Sequence, residues 1–259
     1  MSKILELKTV QTNSFKVLIE ALKEILTDAN LTFDSSGLKI VAMDPSQTVL
    51  VHLKLDASKF EYYKCDDRLV IGVSMINFFK LIKTMTNNDT LSLFITDENT
   101  NILNIKMENC DKNRRTVFSL NLMDLNEDNF QIPSQSFESI ITMPAQDFQK
   151  ICRDMHNLSD TIEIKSVGQQ LIFSCKGDFA SQETVHGETS SGISFLKTNN
   201  NEVIQGYYNL KHLVLFTKCT NLCNSIELYM KNDFPIVIQF VVGSLGTLKL
   251  ALAPQHMGN

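Results

Sequence analysis

Four pairs of basic residues stand beside apolar stripes at helical spacing. Lys16 and Lys23 are seven apart, Lys80 and Lys83 three, Lys150 and Arg153 three, and Lys211 and Lys218 seven. Residues at these separations share one face of a helix, so each pair points two charges the same way. Cations in such an array attract phosphate, and phosphate contacts fix position without reading base identity. Trp is absent and no aromatic platform interleaves these lysines, which disfavours stacking on single-stranded bases. The pattern suits sequence-blind contact with duplex DNA. The formal net charge of −5 does not oppose this, because a mean charge says nothing about where charges sit. With these eight of the 24 basic residues on one surface, the rest of the chain is far more acidic than that mean.

The elements that must carry these cations come in two copies. Phe15 opens one apolar-periodic run and Phe148 opens another 133 positions later; Gly37 faces Gly168 at 131, and Lys83 faces Lys218 at 135. Repeats of this length are whole domains and not solenoid units, which run to about 20–50 residues. In the first copy a strand pattern at Ile4, Leu5, Leu7 and Val10 precedes a helix on Phe15, Leu18, Ile19, Leu22, Ile25 and Leu26. Strands are expected at 31–33, 38–42 and 48–55, a helix over 75–85, then strands at 90–95, 102–107 and 115–122. The second copy gives a strand at 136–143 and a helix from about Pro144, well placed because its missing N–H is not needed there. Strands at 161–164, 171–175 and 180–186, one further strand and a fourth helix at 210–218 follow, with closing strands at 225–230, 236–242 and 246–252. Polar, acidic residues 121–135 lose periodicity and read as a linker between domains 1–120 and 136–259. Many strands and few helices predict an α+β fold, with two helices against one sheet face per domain.

Composition and motifs narrow the function class. A chain of 259 residues, 43% hydrophobic with few glycines and prolines, is neither disordered nor fibrous. No apolar run approaches a membrane span, and the charged, alternating start does not fit a secretory signal. Cys65, Cys110, Cys152, Cys175, Cys219 and Cys223 form no CxxC pair, so reduced thiols are expected, with no metal and no cofactor. The stretch Gly187 to Ser194 has phosphate-loop glycine spacing but lacks its lysine; GxGxxG, GxSxG and HExxH do not occur. Asp66 with Asp67, and Glu127 with Asp128, are sequence neighbours without a catalytic partner set. A nuclease would need clustered metal-binding carboxylates, which are not found. The expectation is a protein with no catalytic residues.

Several stretches together carry a family resemblance: Tyr63-Lys64-Cys65-Asp66-Asp67-Arg68 followed by Ile71-Gly72-Val73, Leu122-Met123-Asp124-Leu125, Phe148 to Asp154, and Leu252-Ala253-Pro254. In this order, over essentially the whole chain, they resemble proliferating cell nuclear antigen, the eukaryotic and archaeal-type DNA sliding clamp. The resemblance implies a homotrimeric ring, with helices lining the hole and sheets outside, that acts as a DNA polymerase processivity factor. It implies that Lys16, Lys23, Lys80, Lys83, Lys150, Arg153, Lys211 and Lys218 face double-stranded DNA, and that 121–135 is the interdomain connecting loop. Partner peptides would dock at Met43, Gln47, Leu50, Phe130, Ile132, Pro235, Ala253 and Pro254. Subunits would join the strand near Arg114–Leu120, with Arg114 and Phe118, to the strand near Asp178–Gly187, with Asp178 and Ser181. Polymerase, clamp loader, flap endonuclease and ligase would be the partners, in the nucleus or at a cytoplasmic replication site for a viral member. The alternatives are a monomeric DNA-binding processivity factor and a checkpoint-type clamp subunit.

The chain also departs from that family. Gln47 stands where animal and fungal members usually have histidine, Leu250-Ala251 replaces an aromatic pair, and Gln255 replaces a lysine. These imply a shallower or differently selective peptide pocket. The lysine that many eukaryotic members use for ubiquitin attachment aligns with Gly168, with Lys165 nearby. Such differences fit a divergent lineage, viral members included.

Overall fold

The computed structural model describes residues 2–126, 135–190, 192–199 and 202–255. Two compact units emerge. The first takes Met1–Pro45, Val51–Phe130 and Val241–Leu248; the second takes Ser46–Leu50, Gln131–Phe240 and Lys249–Asn259.

In the first copy the chain runs β1 (Lys3–Thr9), α1 (Thr12–Ile25), β2 (Asp28–Asp34), β3 (Gly37–Met43), β4 (Val49–Asp56), β5 (Tyr62–Cys65), β6 (Leu69–Ser74), α2 (Met75–Ile82), β7 (Thr90–Thr96), β8 (Asn99–Asn109) and β9 (Arg114–Asn121). The second repeats that order: β10 (Ser139–Pro144), α3 (Ala145–His156), β11 (Thr161–Val167), β12 (Gln170–Lys176), β13 (Ser181–Gly187), β14 (Ser194–Lys197), β15 (Ile204–Asn209), α4 (Leu210–Phe216), β16 (Ser225–Met230), β17 (Ile236–Val242) and β18 (Gly246–Leu252). Neighbours repeat too. The order β5-β1-β7-β8-β9 has its counterpart in β14-β10-β16-β17-β18, and β4-β3-β2-β6 in β13-β12-β11-β15. The mixed α+β fold with antiparallel sheets is therefore observed, and the duplication extends to every strand and α-helix named.

Alternation builds the cores. β2 buries Ala29, Leu31 and Phe33 on one face, as β11 buries Ile162 and Ile164. On α1, Phe15, Leu18, Ile19, Leu22 and Ile25 are buried at the expected spacing, and α3 buries Phe148, Ile151, Cys152 and Met155. Phe15 meets Phe78 of α2 edge-on at 6.2 Å between ring centres, fixing the first helix pair. Burial pushes the Cys152 and Cys219 thiols up, so both are protonated packing groups.

The turns into β3 and β12 require glycine. Gly37 (φ 137°) and Gly168 (φ 56°) both take positive φ, and a Cβ on Gly37 would lie 2.0 Å from the Leu55 carbonyl oxygen.

Several elements differ from expectation. The second helix stops at Ile82 and not at 85; the fourth stops at Phe216, and Lys218 lies in the 3₁₀ turn Thr217–Leu222 that follows. Strands β5, β6 and β14 were not anticipated. β5 and β14 are four residues each at sheet edges, too short for periodicity to register. β6 runs into α2 with no breaker between them.

Candidate DNA and partner surfaces

α1 packs on α2 and α3 on α4, each pair leaving one face to solvent. Of the eight expected DNA-facing cations, Lys80, Lys83, Lys150, Arg153, Lys211 and Lys218 are exposed. Lys80 lies 3.5 Å from the Asn77 side-chain oxygen, at the limit of a hydrogen bond. Lys83 follows the end of α2 and Lys218 the end of α4, where the helix dipole favours a positive charge.

Lys16 and Lys23 are placed differently. The Lys16 ammonium donates to the Met85 carbonyl at 3.0 Å. Lys23 pairs with Glu24 and sits 5.0 Å from the centre of the Phe79 ring on α2, with its side chain only 20% exposed. Both cations of α1 are thus engaged with its own pair, and Thr12 adds a hydroxyl bond to the Thr86 carbonyl at 3.0 Å.

The turn after α2 is anchored by a carboxylate. Asp89, 1% exposed at its side chain, accepts from the Thr86 N–H at 2.8 Å, the Asn109 amide at 2.8 Å and the Arg114 guanidinium at 3.2 Å on both oxygens. Burial opposes its charge, but these donors outweigh it and hold the carboxyl below the ordinary range. Arg114, expected at a subunit contact, therefore also ties the start of β9 to this turn.

β9 and β13 each end a sheet, with one described neighbour apiece, β8 and β12. Phe118 on β9 is half-buried; Asp178 in the bend before β13 and Ser181 at its start are exposed. Sequence reasoning missed the most exposed large apolar residue here: Phe179 is 78% exposed, in the turn before β13. Val185 on β13 and Val117 on β9 are exposed as well. A lone apolar residue in a turn has no periodicity to announce it. An unpaired strand edge flanked by such residues is a template for pairing with another chain.

The expected peptide-pocket residues fall in different places. Phe130 and Ile132 lie outside the described residues. Met43 closes β3 in the first unit and is half-buried. In the second unit the Ala253 N–H donates to the Thr48 carbonyl at 3.1 Å, bringing Gln47 and Leu50 to the Ala253-Pro254 tail. Gln47 is exposed with φ 57°, so its amide projects from a tight bend. Pro235, half-buried, leads into β17. Gln255 is not a surface substitute for lysine: its N–H donates to the Tyr207 carbonyl at 2.7 Å and its side chain accepts from Thr161 at 2.9 Å.

The first stretch of the linker is docked within the first unit. The Met123 N–H donates to the Gly72 carbonyl at 2.9 Å, and a Cβ on Gly72 would come 2.4 Å from the Met123 carbonyl oxygen, so only glycine admits this approach. Asn30 donates to the Asn126 carbonyl at 2.9 Å. Beside them a cavity of about 550 Å³ is lined by Asn30, Thr32, Lys39, Val41, Arg68 and Leu125, among others. Sequence reasoning did not anticipate this recess, whose residues come from four separate segments.

Among the described residues no group of histidine, cysteine or carboxylate side chains could hold a metal, and no helix is long and apolar enough to cross a membrane. The model of the proliferating cell nuclear antigen N-terminal domain matches residues 4–131, and that of the C-terminal domain matches 131–255. The chain is 34% identical over 255 residues to a probable DNA polymerase sliding clamp 1 of Paramecium bursaria Chlorella virus 1, covering 97% of each chain. It is 28% identical over 255 residues to the proliferating cell nuclear antigen of Chaetomium thermophilum, covering 97% of this chain and 98% of the other. With both halves matched in order and the strands and α-helices repeated, the chain belongs to the proliferating cell nuclear antigen family, the processivity clamps of DNA polymerases.

Proposed function

We propose that three copies of this chain close head to tail into a ring that encircles duplex DNA and slides along it without reading sequence. The observation that carries the reading is the coexistence, in one chain, of exposed cations on both helix pairs and of two sheet-end strands, β9 and β13, that carry or adjoin the exposed apolar residues Val117, Phe179 and Val185. Two different edges on one molecule suit a heterologous contact, which generates a ring when the rotation closes. Phe118 and Arg114 from one copy meet Asp178, Ser181 and the Phe179 ring of the next. The domains are 1–120 and 136–259, joined by 121–135. Lys80, Lys83, Lys150, Arg153, Lys211 and Lys218 meet phosphates, while topology supplies retention.

The chain has no catalytic role of its own. It tethers polymerase, flap endonuclease and ligase through short peptides docked at Met43, Gln47, Leu50, Pro235, Ala253 and Pro254, together with Phe130 and Ile132. A clamp loader places it on DNA, in the nucleus or at a cytoplasmic replication site. Apolar anchors with a polar rim are the usual form of such docking.

Sedimentation tests the assembly. The expected mass is three times 29.3 kDa, falling to a single chain in Phe179→Asp. A wild-type mass of 29.3 kDa at working concentration would support the monomeric processivity factor or the checkpoint-type subunit instead.

A further inference from the structure

Lys16 has a counterpart in the second copy, and it is not a cation. Phe15 and Phe148 stand 133 apart, and the same step carries Lys16 to Gln149. The two side chains do a similar thing, each donating to a carbonyl that follows the second helix, three residues past α2 in one unit and one past α4 in the other. The Lys16 ammonium donates to the Met85 carbonyl at 3.0 Å, just past the end of α2. The Gln149 amide donates at 3.1 Å to the Thr217 carbonyl just past the end of α4, a carbonyl that also accepts from the Thr220 hydroxyl at 2.6 Å. In each unit, then, the first helix reaches across and donates to a carbonyl beyond the second helix's last turn, where the helical i+4 N–H donors end.

We propose that Lys16 and Gln149 are one device in two copies, a strap that sets the second helix of each pair against the first. On this reading, which rests on the clamp function proposed above, Lys16 is a positioning residue and lies outside the phosphate-binding set. The argument is chemical. An amide has N–H donors and no charge, yet it fills the position in the second unit, so the position requires a donor and not a cation. The strap bears on DNA through its neighbours. Lys83 and Lys218, 135 apart, are exposed at the ends of the strapped helices, so the strap sets where those two cations stand.

Position 23 extends the pattern. Its counterpart at the same step is His156, and Lys23 is turned onto Phe79 and Glu24. The first helix of the first unit thus directs its cations at its own partner helix. The first helix of the second unit exposes Lys150 and Arg153, whose counterparts in α1 are Val17 and Glu20. Phosphate contact is accordingly uneven between the two domains of each chain.

Three full-length variants test this: Lys16→Gln, Lys16→Met and Lys218→Gln. Melting reads the strap directly. Lys16→Met should lower Tm by about 2–4 °C, as loss of a partly buried hydrogen bond does in a chain of this size, and Lys16→Gln should stay within about 1 °C of wild type. The salt dependence of duplex association reads the charge. Lys218→Gln should flatten the slope by about 0.9 for each phosphate left without its cation, whereas Lys16→Gln should leave it unchanged. If Lys16→Gln flattens the slope as much as Lys218→Gln, or melts as early as Lys16→Met, the strap is wrong. If wild type shows no salt-dependent association with DNA, the clamp reading fails, and the melting comparison still decides the strap by itself.

Discussion

The two helix pairs descend from one plan but treat their charges differently. In the first, Thr12, Lys16 and Lys23 of α1 are all engaged with α2 or the turn beyond it, and buried Asp89 secures that turn. In the second, Gln149 crosses to the end of α4, and the residue 135 beyond Asp89 is the exposed Asn224. The second pair leaves four expected cations exposed and the first leaves two. Counting lysines on a helix therefore overstates the charge available to a polyanion, because an ammonium already held by a carbonyl or a carboxylate has less to offer. The first pair is the better fastened, and the second the more cationic at its surface.

The largest expected contrast concerns the paired glycine turns. Gly37→Ala forces a Cβ to 2.0 Å from a backbone oxygen at φ 137°, and should cost more than about 3 kcal/mol in urea unfolding. Gly168→Ala meets nothing within 4 Å and should cost about 1 kcal/mol, the penalty of positive φ alone. Equal losses would mean that the two turns are not packed as described.

Next is the Asp89 anchor. Asp89→Ala removes the acceptor for Thr86, Asn109 and Arg114 and should cost about 2–4 kcal/mol, while Asn224→Ala should change stability by under about 0.5 kcal/mol. Similar values for both would remove the claimed difference between the units.

The surface-charge difference is smaller. Replacing Lys150, Arg153, Lys211 and Lys218 together by glutamine should weaken duplex association about tenfold or more at moderate salt. The Lys80→Gln, Lys83→Gln variant should lose less. The reverse order would contradict the unevenness inferred above.

The smallest effect is on the acid limb. Asp34 accepts from Lys39 at 2.8 Å and from Ser36, and these bonds hold its carboxyl well below the usual 3.8; Asp89 is lowered as well. A depressed folded pKa gives stability that is complete above the unfolded value and lost as pH falls through the folded one. Both groups lie in the first unit, so stability should decline below about pH 4, and Asp34→Asn should flatten that decline. An unchanged acid limb in Asp34→Asn would remove its contribution.

Much of this was legible in the residues, for physical reasons. The α1 stripe and the β2 alternation are local periodicities that burial enforces, and the glycine pair marks turns that only glycine enters cheaply. The cations could be placed on helices by the same arithmetic. Their engagement could not, since the acceptor of Lys16 lies 69 residues away and that of Gln149 lies 68 away. Phe179 carried no signal because exposure is a property of the folded surface. β5 and β14 owe their existence to pairing with β1 and β10, not to their own short segments. Gly72 could be seen in a motif, but the chain that passes over it, at Met123, could not.

Ring closure is the central claim, and topology tests it most directly. The protein is loaded on nicked circular DNA and the circle is cut once. A closed ring slides off the free ends and is lost from the DNA, whereas blocking both ends retains it. Retention on the cut DNA with unblocked ends would contradict the ring.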